Sequence, residues 1–364
     1  GNNLVELSLD GASFTNAGQR LLISADGLSA GQLVNVGANP AGGSVHRVTG
    51  TGFSPPYWMM PINMENLTGA DLNEKPVPLV FDSREHIRKG RMNPDCSDVR
   101  LVHWETQSEL PYYLESGING ETTLLWTMLK TNLLTSRFSH LDESTYYMTF
   151  GVPSRPSTSD WNVLGDYFHI LGHPEKLLWY SATKAGESFG DGESVDQWSD
   201  LFGLGNHGEQ ADQVRQPTFK TQQLNGLPAL HFDGGDLFKL KPLAPTAPDG
   251  ITYVILHRND LRCDPKGRIF SAGAGSKELQ HISAKGTTGT WQLTGTRRRG
   301  VDLTTCTSGK RFTGNVAWYT GEIAEMIMIG EHLDDATNGP FDRLLEFVSR
   351  KYNLNGEARG IADT

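Results

Sequence analysis

Short apolar runs, each broken by glycine, proline, asparagine or aspartate, follow one another along most of the chain. In one of them Val77, Leu79 and Phe81 stand at alternate positions, and similar runs recur up to residue 168. Alternation with a period of two is typical of strands that bury one face. Five such strands at short intervals predict an antiparallel β-sandwich over residues 54–168.

A second series of short β-type runs extends from residue 169, with ITYVILHR at 251–258 as its most apolar member. It ends in one predicted helix, because Pro340 suits a first helical position. Apolar residues then recur with helical spacing, at Phe341, Leu344, Leu345, Val348 and Tyr352. This spacing places them on one helical face, which we expect to cover one end of the sandwich. Residues 169–356 therefore form a second β-domain, followed by a tail at 357–364.

Residues 1–53 differ from the rest of the chain. They are rich in glycine, alanine, serine and asparagine, and Phe14 and Phe53 are their only aromatic residues. So little aromatic mass gives a weak independent core. We predict a small β segment or an arm that docks on a neighbouring protein or on another copy.

Composition and charge narrow the class of protein. With 41 glycines and 18 prolines in 364 residues, the chain favours turns and short strands over long helices. Its net charge of −10 makes it a poor general binder of nucleic acid. No apolar run is long enough to insert into a membrane. The chain starts at Gly1, so either a leader was removed or the first residues are missing.

The three cysteines leave two alternatives open. Cys96, Cys263 and Cys306 lack the spacing of a zinc or haem site. Either Cys263 and Cys306 form one disulfide, or all three are buried thiols.

Motifs for catalysis are missing from the sequence. Glycoside hydrolysis needs two carboxylates that flank the scissile bond. The nearest pair is Glu322 and Glu325, and residues three apart on a regular strand point to opposite faces. We expect Glu322 to cap or pair at a strand end and Glu325 to meet an arginine. The sequence thus predicts a protein that is not an enzyme.

No motif demands a cofactor, and calcium is the one candidate. Asp233 and Asp236, in the run FDGGDLF, carry the oxygen ligands that calcium prefers. Asp-Gly pairs are also ordinary turn formers, and we favour that interpretation.

Aromatic residues near turns are the first candidates for ligand binding. Trp291 is flanked by turn residues and is a candidate for an exposed ring, and one of Trp318 and Tyr319 is a candidate to point outward. An exposed ring can stack on a sugar, although most tryptophans lie in cores.

Arg297, Arg298 and Arg299 form the only dense basic run of the sequence. Such a run can hold an acidic polysaccharide through bidentate contacts. It can equally be a solvated loop or pair with acidic groups of another subunit, which we favour.

Four stretches of residues 54–168 stand in an order that resembles a known domain family. They are SDVRL at 97–101, LPYYLES at 110–116, LWT at 125–127 and YYMTFG at 146–151. The family is a β-sandwich domain of unknown function found in large secreted and cell-surface proteins of bacteria and archaea. This copy departs from it at Cys96, where a glycine is usual, and at Phe150.

The second domain is similar to concanavalin A-like, laminin-G-like jelly rolls. The stretches that carry this likeness are LLWY at 177–180, WSD at 198–200, LNGLPAL at 224–230, FDG at 232–234, GEIAE at 321–325 and KYNL at 351–354. Together the two resemblances imply an extracellular protein exposed on a cell or virion surface.

The function expected from these observations is lectin-like binding of a polysaccharide, a glycoconjugate or another surface component, through loops at one end of the jelly roll. The first alternative is a structural subunit of a surface filament, sheath or virion, which self-associates or packs against a neighbouring structural protein. The second is a polysaccharide hydrolase.

Overall fold

A computed structural model of the chain shows an all-β protein with one longer helix near its C-terminus, which confirms the predicted fold class. The described residues are 4–6, 32–38, 44–49, 57–62, 76–103, 108–128, 146–168, 173–243, 250–261, 263, 267–272, 279–282, 288–299, 303, 306–308, 318–334, 336, 339–354 and 359–363. The contacts between residues divide the chain into two units, 1–164 and 165–364. The domain boundaries predicted at residues 53, 168 and 356 stay predictions.

The described residues of unit 1 form two antiparallel sheets. The larger has seven strands in the order β1 (Leu4–Glu6), β2 (Gln32–Ala38), β3 (Ser44–Thr49), β4 (Tyr57–Ile62), β10 (Tyr146–Phe150), β6 (Arg100–His103) and β7 (Glu109–Leu110). The smaller has three, in the order β5 (Pro76–Phe81), β9 (Thr123–Met128) and β8 (Tyr112–Ser116). Side chains from both sheets, among them Met148, Phe150 and Leu125, form one buried cluster. The N-terminal strands β1–β3 belong to the larger sheet.

A short helix of unit 1, α1 (Ser83–Arg88), has no counterpart in the sequence prediction. Asp82 caps it, since its carboxylate accepts the backbone N–H of Glu85 at 3.0 Å. A helix of this length lacks the repeated apolar face that a periodicity search detects.

The described residues of unit 2 form a sandwich of two sheets, called here the large sheet and the small sheet. Its large sheet runs β14 (Thr218–Leu224), β15 (Leu227–Asp233), β22 (Thr320–Ile329), β17 (Ile251–Asn259), β20 (Trp291–Arg298) and β23 (Arg359–Asp363), and β11 (Lys176–Ser181) also pairs with β22. The small sheet has six strands, β12 (Gln197–Trp198), β13 (Gly208–Glu209), β16 (Phe238–Leu240), β21 (Cys306–Ser308), β18 (Arg268–Ala272) and β19 (Leu279–Ile282). The side chain of Cys306 is not described, so the Cys263–Cys306 bridge stays a prediction.

The core of unit 2 lies between these two sheets. Tyr253 and Ile255 of the large sheet share one buried cluster with Phe238 and Phe270 of the small sheet. Strand β17 is buried on both of its faces, which explains why its sequence is a nearly continuous apolar run rather than an alternating one.

Helix α3 (Pro340–Lys351) covers the other face of the large sheet, called here the outer face. It follows the predicted helix closely, with Pro340 in its first turn and all five predicted face residues buried. Asn353, with φ of +49°, ends it, and the Leu354 N–H bonds the Ser349 carbonyl in a Schellman closure. The helix packs on the face of the sheet, not on one end of the sandwich as expected.

Two shorter helices complete unit 2: α2 (Ala182–Ala185) and the 3₁₀ turn Gln213–Arg215. A further 3₁₀ stretch, Trp161–Phe168, lies at the boundary of the units. No helix among the described residues is both long and apolar enough to cross a membrane.

Candidate functional site

A bulge in strand β22 determines which side chains reach the outer face of the large sheet. Glu325 pairs with Leu256 of β17, whereas Glu322 pairs with Arg258, so three steps on β22 match two steps on β17. Directly paired residues point to the same face of a sheet. Glu322 and Glu325 therefore both point outward.

This arrangement corrects the sequence prediction that the two glutamates lie on opposite faces. The extra residue of the bulge breaks the period-two alternation on which that prediction depended. Gly321, which precedes Glu322, is the residue whose type indicates an unusual backbone geometry in this part of β22. A Cβ at Gly321 would lie 2.2 Å from the carbonyl oxygen of Arg258, so a close approach of the two backbones requires glycine there.

Helix α3 covers the half of the outer face that holds Glu325. Lys351 is fully buried and its Nζ lies 3.0 Å from Glu325 Oε2. The hydroxyl of Tyr352 donates to the same oxygen at 2.8 Å, and Trp179 Nε1 donates to Glu325 Oε1. The prediction that Glu325 pairs with an arginine is wrong, because its partner is Lys351 of helix α3. This half is closed to solvent and anchors the helix.

The other half of the outer face is open and carries a row of polar side chains, one from each of four neighbouring strands. Glu322 is at its centre. Its Oε2 accepts a hydrogen bond from Arg258 Nε at 2.9 Å, and its Oε1 is hydrogen-bonded to His231 Nδ1 at 3.2 Å. Arg258 Nη2 also donates to Gln223 Oε1 at 3.1 Å. The side chains of Arg258 and His231 are 27% and 30% exposed, against 14% for Glu322. We call these four residues the polar row.

The row has a defined charge state. Burial opposes ionisation of Glu322, but hydrogen bonds from His231 and Arg258 outweigh it and keep the pKa of Glu322 below its ordinary value. The hydrogen bond with Glu322 raises the pKa of His231 above its ordinary value. An ionised carboxylate is thus held between two cationic or potentially cationic groups.

Trp291 extends the row onto the next strand, β20, where it pairs with Arg258. The guanidinium carbon of Arg258 lies 5.2 Å from the centre of the Trp291 ring. The indole is 5% exposed, so the prediction of an exposed ring at Trp291 is wrong. Its Nε1–H has no hydrogen-bond acceptor among the described residues.

The other predicted aromatic pair lies where β22 begins. Tyr319 is fully buried in the core, and its hydroxyl lies 2.9 Å from the Arg258 carbonyl oxygen. Trp318 is half-buried, with the Arg215 guanidinium carbon 5.7 Å from its ring centre. Of the two, only Trp318 retains access to solvent.

Strand alternation separates the three arginines of the basic run. Arg297 is buried, donates from Nη1 to the Leu333 carbonyl at 3.0 Å, and lies over the Phe341 ring of α3. Arg298 is half-buried and Arg299 is exposed. The three therefore do not form one basic surface, and Arg297 is not available to a polysaccharide.

Asp233 and Asp236 take part in a turn. Asp236 Oδ2 accepts the Asp233 N–H at 2.8 Å, and Asp233 Oδ1 accepts the Gly235 N–H at 2.7 Å. Burial raises the pKa of Asp236 to about 6. Among the described residues, no group of three or more histidines, cysteines, aspartates or glutamates is placed to hold a metal ion. Calcium binding at these two aspartates stays a prediction.

Sequence reasoning missed His231, Arg258 and Gln223. They come from three separate strands, β15, β17 and β14, so no local pattern connects them. Only the pairing of β15, β22 and β17 brings His231 and Arg258 onto Glu322.

No protein-family model matches the chain, and no curated protein matches it. Among solved structures, Trypanosoma rangeli sialidase in complex with sialic acid shows 9% identity and a TM-score of 0.31, over 90% of this chain and 69% of the sialidase. The exo-β-1,3-galactanase of Phanerochaete chrysosporium with galactose shows 9% identity and a TM-score of 0.20, over 84% and 75%. The ANXUR1 extracellular domain of Arabidopsis thaliana shows 8% identity and a TM-score of 0.21, over 75% and 82%.

These comparisons correct one expectation. The sequence predicted a protein that is not an enzyme. The sialidase and the galactanase are both enzymes, so that prediction is withdrawn. At these identities and TM-scores, the likeness carries no substrate, reaction or catalytic residue over to this chain.

Proposed function

We propose that the protein binds carbohydrate on the open half of the outer face of unit 2. The observation that carries this proposal is the polar row, in which a guanidinium, a carboxylate, an imidazole and a carboxamide bond to one another across four strands. Sugar sites use planar polar groups held in fixed positions next to an aromatic wall. Strands hold such groups more firmly than loops do.

The site differs from the one expected at the loops. It lies on the sheet face, immediately beside the end of the sandwich where β15 and β17 finish and β22 begins. Trp318 and Arg215 lie at that end and are proposed as a secondary contact for a longer glycan. An extracellular location and a concanavalin A-like classification of unit 2 belong to the same proposal.

A glycan array probed with the full chain tests the proposal, with Arg258→Ala as the variant. Removing Arg258 takes away the side chain that connects Glu322 to Gln223, so binding should fall at least roughly tenfold. Arg350→Ala is the matched control, because Arg350 also pairs with a glutamate, Glu346 at 2.7 Å, but on helix α3. It should bind like the wild type.

Failure of the wild type to bind any glycan at high protein concentration would overturn the proposal. Equal binding by Arg258→Ala and wild type would show that the carbohydrate does not bind at the polar row. Mass analysis of the bound glycan after incubation shows in the same experiment whether it is cleaved. The structural-subunit alternative stays a prediction, which the native mass of the full chain tests.

A further inference from the structure

The hydrogen-bonding capacity of the polar row is used unequally. Each of its three acceptor oxygens, two on Glu322 and one on Gln223, already accepts a hydrogen bond. The Gln223 amide nitrogen donates to the Thr221 carbonyl at 2.8 Å. Several donors of the row, by contrast, have no acceptor at all among the described residues.

Two partly exposed side chains hold these donors. Arg258 uses Nε and one Nη2 hydrogen, and its other N–H groups have no acceptor among the described residues. His231 uses Nδ1, which leaves Nε2 for a ligand. Trp291, next along the row, also has an Nε1–H without an acceptor among the described residues, but this nitrogen is buried and is not counted as a donor to the ligand. A complementary ligand has to supply acceptors.

The charges near the row favour the same kind of ligand. When His231 is protonated, the row itself holds two positive charges, on Arg258 and His231, against the one ionised carboxylate of Glu322, and Asp260 adds a negative charge that acts on Arg258. Lys220 on β14 adds a positive charge close enough to act on His231. Asp236 is the other acidic group that acts on His231, and it accepts a hydrogen bond within its own turn.

We infer that the polar row recognises the carboxylate of an acidic, uronate-type sugar, with Arg258 and His231 as its donors. A planar guanidinium pairs with a carboxylate through two parallel hydrogen bonds. The inference rests on the proposed function and adds the ligand class to it. The sequence suggested the Arg297–Arg299 run as a site for an acidic polysaccharide, but Arg297 is buried. The inference assigns the acidic ligand to Arg258 and His231 instead.

Binding of oligogalacturonate to the full chain, measured by titration calorimetry, tests the inference. The fully methyl-esterified oligomer is the matched ligand, because it keeps the sugar backbone and loses the charge. We expect at least roughly tenfold weaker binding of the ester, and a similar loss for Arg258→Ala with the acid. Arg350→Ala should bind like the wild type.

The pH profile separates recognition from a merely structural role of the row. Affinity should fall as the pH rises through the raised pKa of His231, because the donor loses its proton. His231→Asn should flatten this profile. Burial raises the pKa of Asp236 to about 6 and Asp236 acts on His231, so Asp236→Asn shows how much of the pH dependence comes from Asp236.

Each outcome decides one question. Equal affinity for the acid and the ester overturns the inference but leaves carbohydrate binding intact. Binding to no glycan overturns the proposed function. Binding to polyglutamate as tight as to oligogalacturonate keeps the carboxylate site and overturns the sugar. Tighter binding to a sulfated neutral glycan than to oligogalacturonate would show that the row recognises a sulfate rather than a carboxylate, and would overturn the inference.

Discussion

His86 of unit 1 shows how strongly one side chain depends on its surroundings. It lies on α1, is 2% exposed, and has its ring centre 4.9 Å from that of Phe150. Neither ring nitrogen has a hydrogen-bond partner among the described residues. Burial, together with the positive charge of Arg91, lowers the pKa of His86 to about 4. The imidazole is buried in its neutral form.

Unit 1 is therefore predicted to lose stability on acidification. In the unfolded chain His86 takes up its proton near its ordinary pKa of 6.5, and in the folded protein only near 4. The unfolded state thus binds more protons between these values, and the stability present above 6.5 is lost as the pH falls. The loss reaches about 3 kcal/mol near pH 4. Urea unfolding of unit 1 at a series of pH values measures it.

His86→Phe is the control for this prediction. Phenylalanine keeps a ring against Phe150 and cannot be protonated, so the free energy of unfolding should vary less between pH 7 and 4. An identical slope in both proteins would assign the acid sensitivity to other groups.

At the scale of elements, helix α3 is held by a buried ion pair as well as by apolar packing. Lys351 and Glu325 are both fully buried, and Lys351 Nζ also donates to Ser181 Oγ at 2.8 Å. Breaking a buried pair by removing one partner costs about 3–5 kcal/mol, because a buried charge is left uncompensated. We expect a loss of this size in the free energy of unfolding of Lys351→Met, measured for unit 2.

The double variant Glu325→Gln/Lys351→Met tests the cause. The glutamine oxygen can still accept the Trp179 N–H, and its NH2 group can donate to the Tyr352 hydroxyl, which has the Ala324 carbonyl as its own acceptor. Glutamine carries no charge, so the double variant should be more stable than Lys351→Met alone. If it is less stable, the uncompensated charge is not the reason for the loss.

Close packing between α3 and the large sheet is predicted to exclude even one methyl group at Gly295. A Cβ there would lie 2.6 Å from Phe341 Cζ and 3.0 Å from Leu345 Cδ2. Gly295→Ala should therefore destabilise unit 2 by about 1–3 kcal/mol. Gly190→Ala is the matched control, because its nearest contact would be an ordinary 3.6 Å from Glu193. Thermal unfolding of both variants checks the difference, and equal midpoints would contradict it.

At the scale of the whole molecule, the two units are predicted to respond to acid in opposite directions. Unit 1 contains His86, whose pKa is lowered, whereas unit 2 contains Asp236 and His231, whose pKa values are raised. A raised pKa means that the folded state holds the proton more tightly, so stability is gained as the pH falls. From pH 7 to 5, we expect the unfolding temperature of unit 1 to fall relative to that of unit 2.

Differential scanning calorimetry of the full chain measures this divergence. His86→Phe should reduce the shift of the unit 1 transition, and Asp236→Asn should reduce that of unit 2. Parallel shifts of the two transitions would show that general charge effects of the net −10 chain dominate.

The sequence by itself determined the all-β class, strands such as Pro76–Phe81 and Ile251–Asn259, and the helix at Pro340–Lys351. These follow from local causes: apolar alternation, turn residues and the 3.6-residue repeat of one helical face. Predictions about single side chains succeeded where the local rule applied without interruption, as at Phe341 and Val348.

Tertiary structure alone decided the candidate site. The bulge in β22 turned Glu322 outward, and strand pairing brought His231 and Arg258 to it from distant parts of the chain. The position of α3 decided that Glu325 and Arg297 are buried, while Glu322 keeps access to solvent. A sequence pattern records the period of an element, but register, bulges and the covering of a face depend on contacts between residues far apart in the chain.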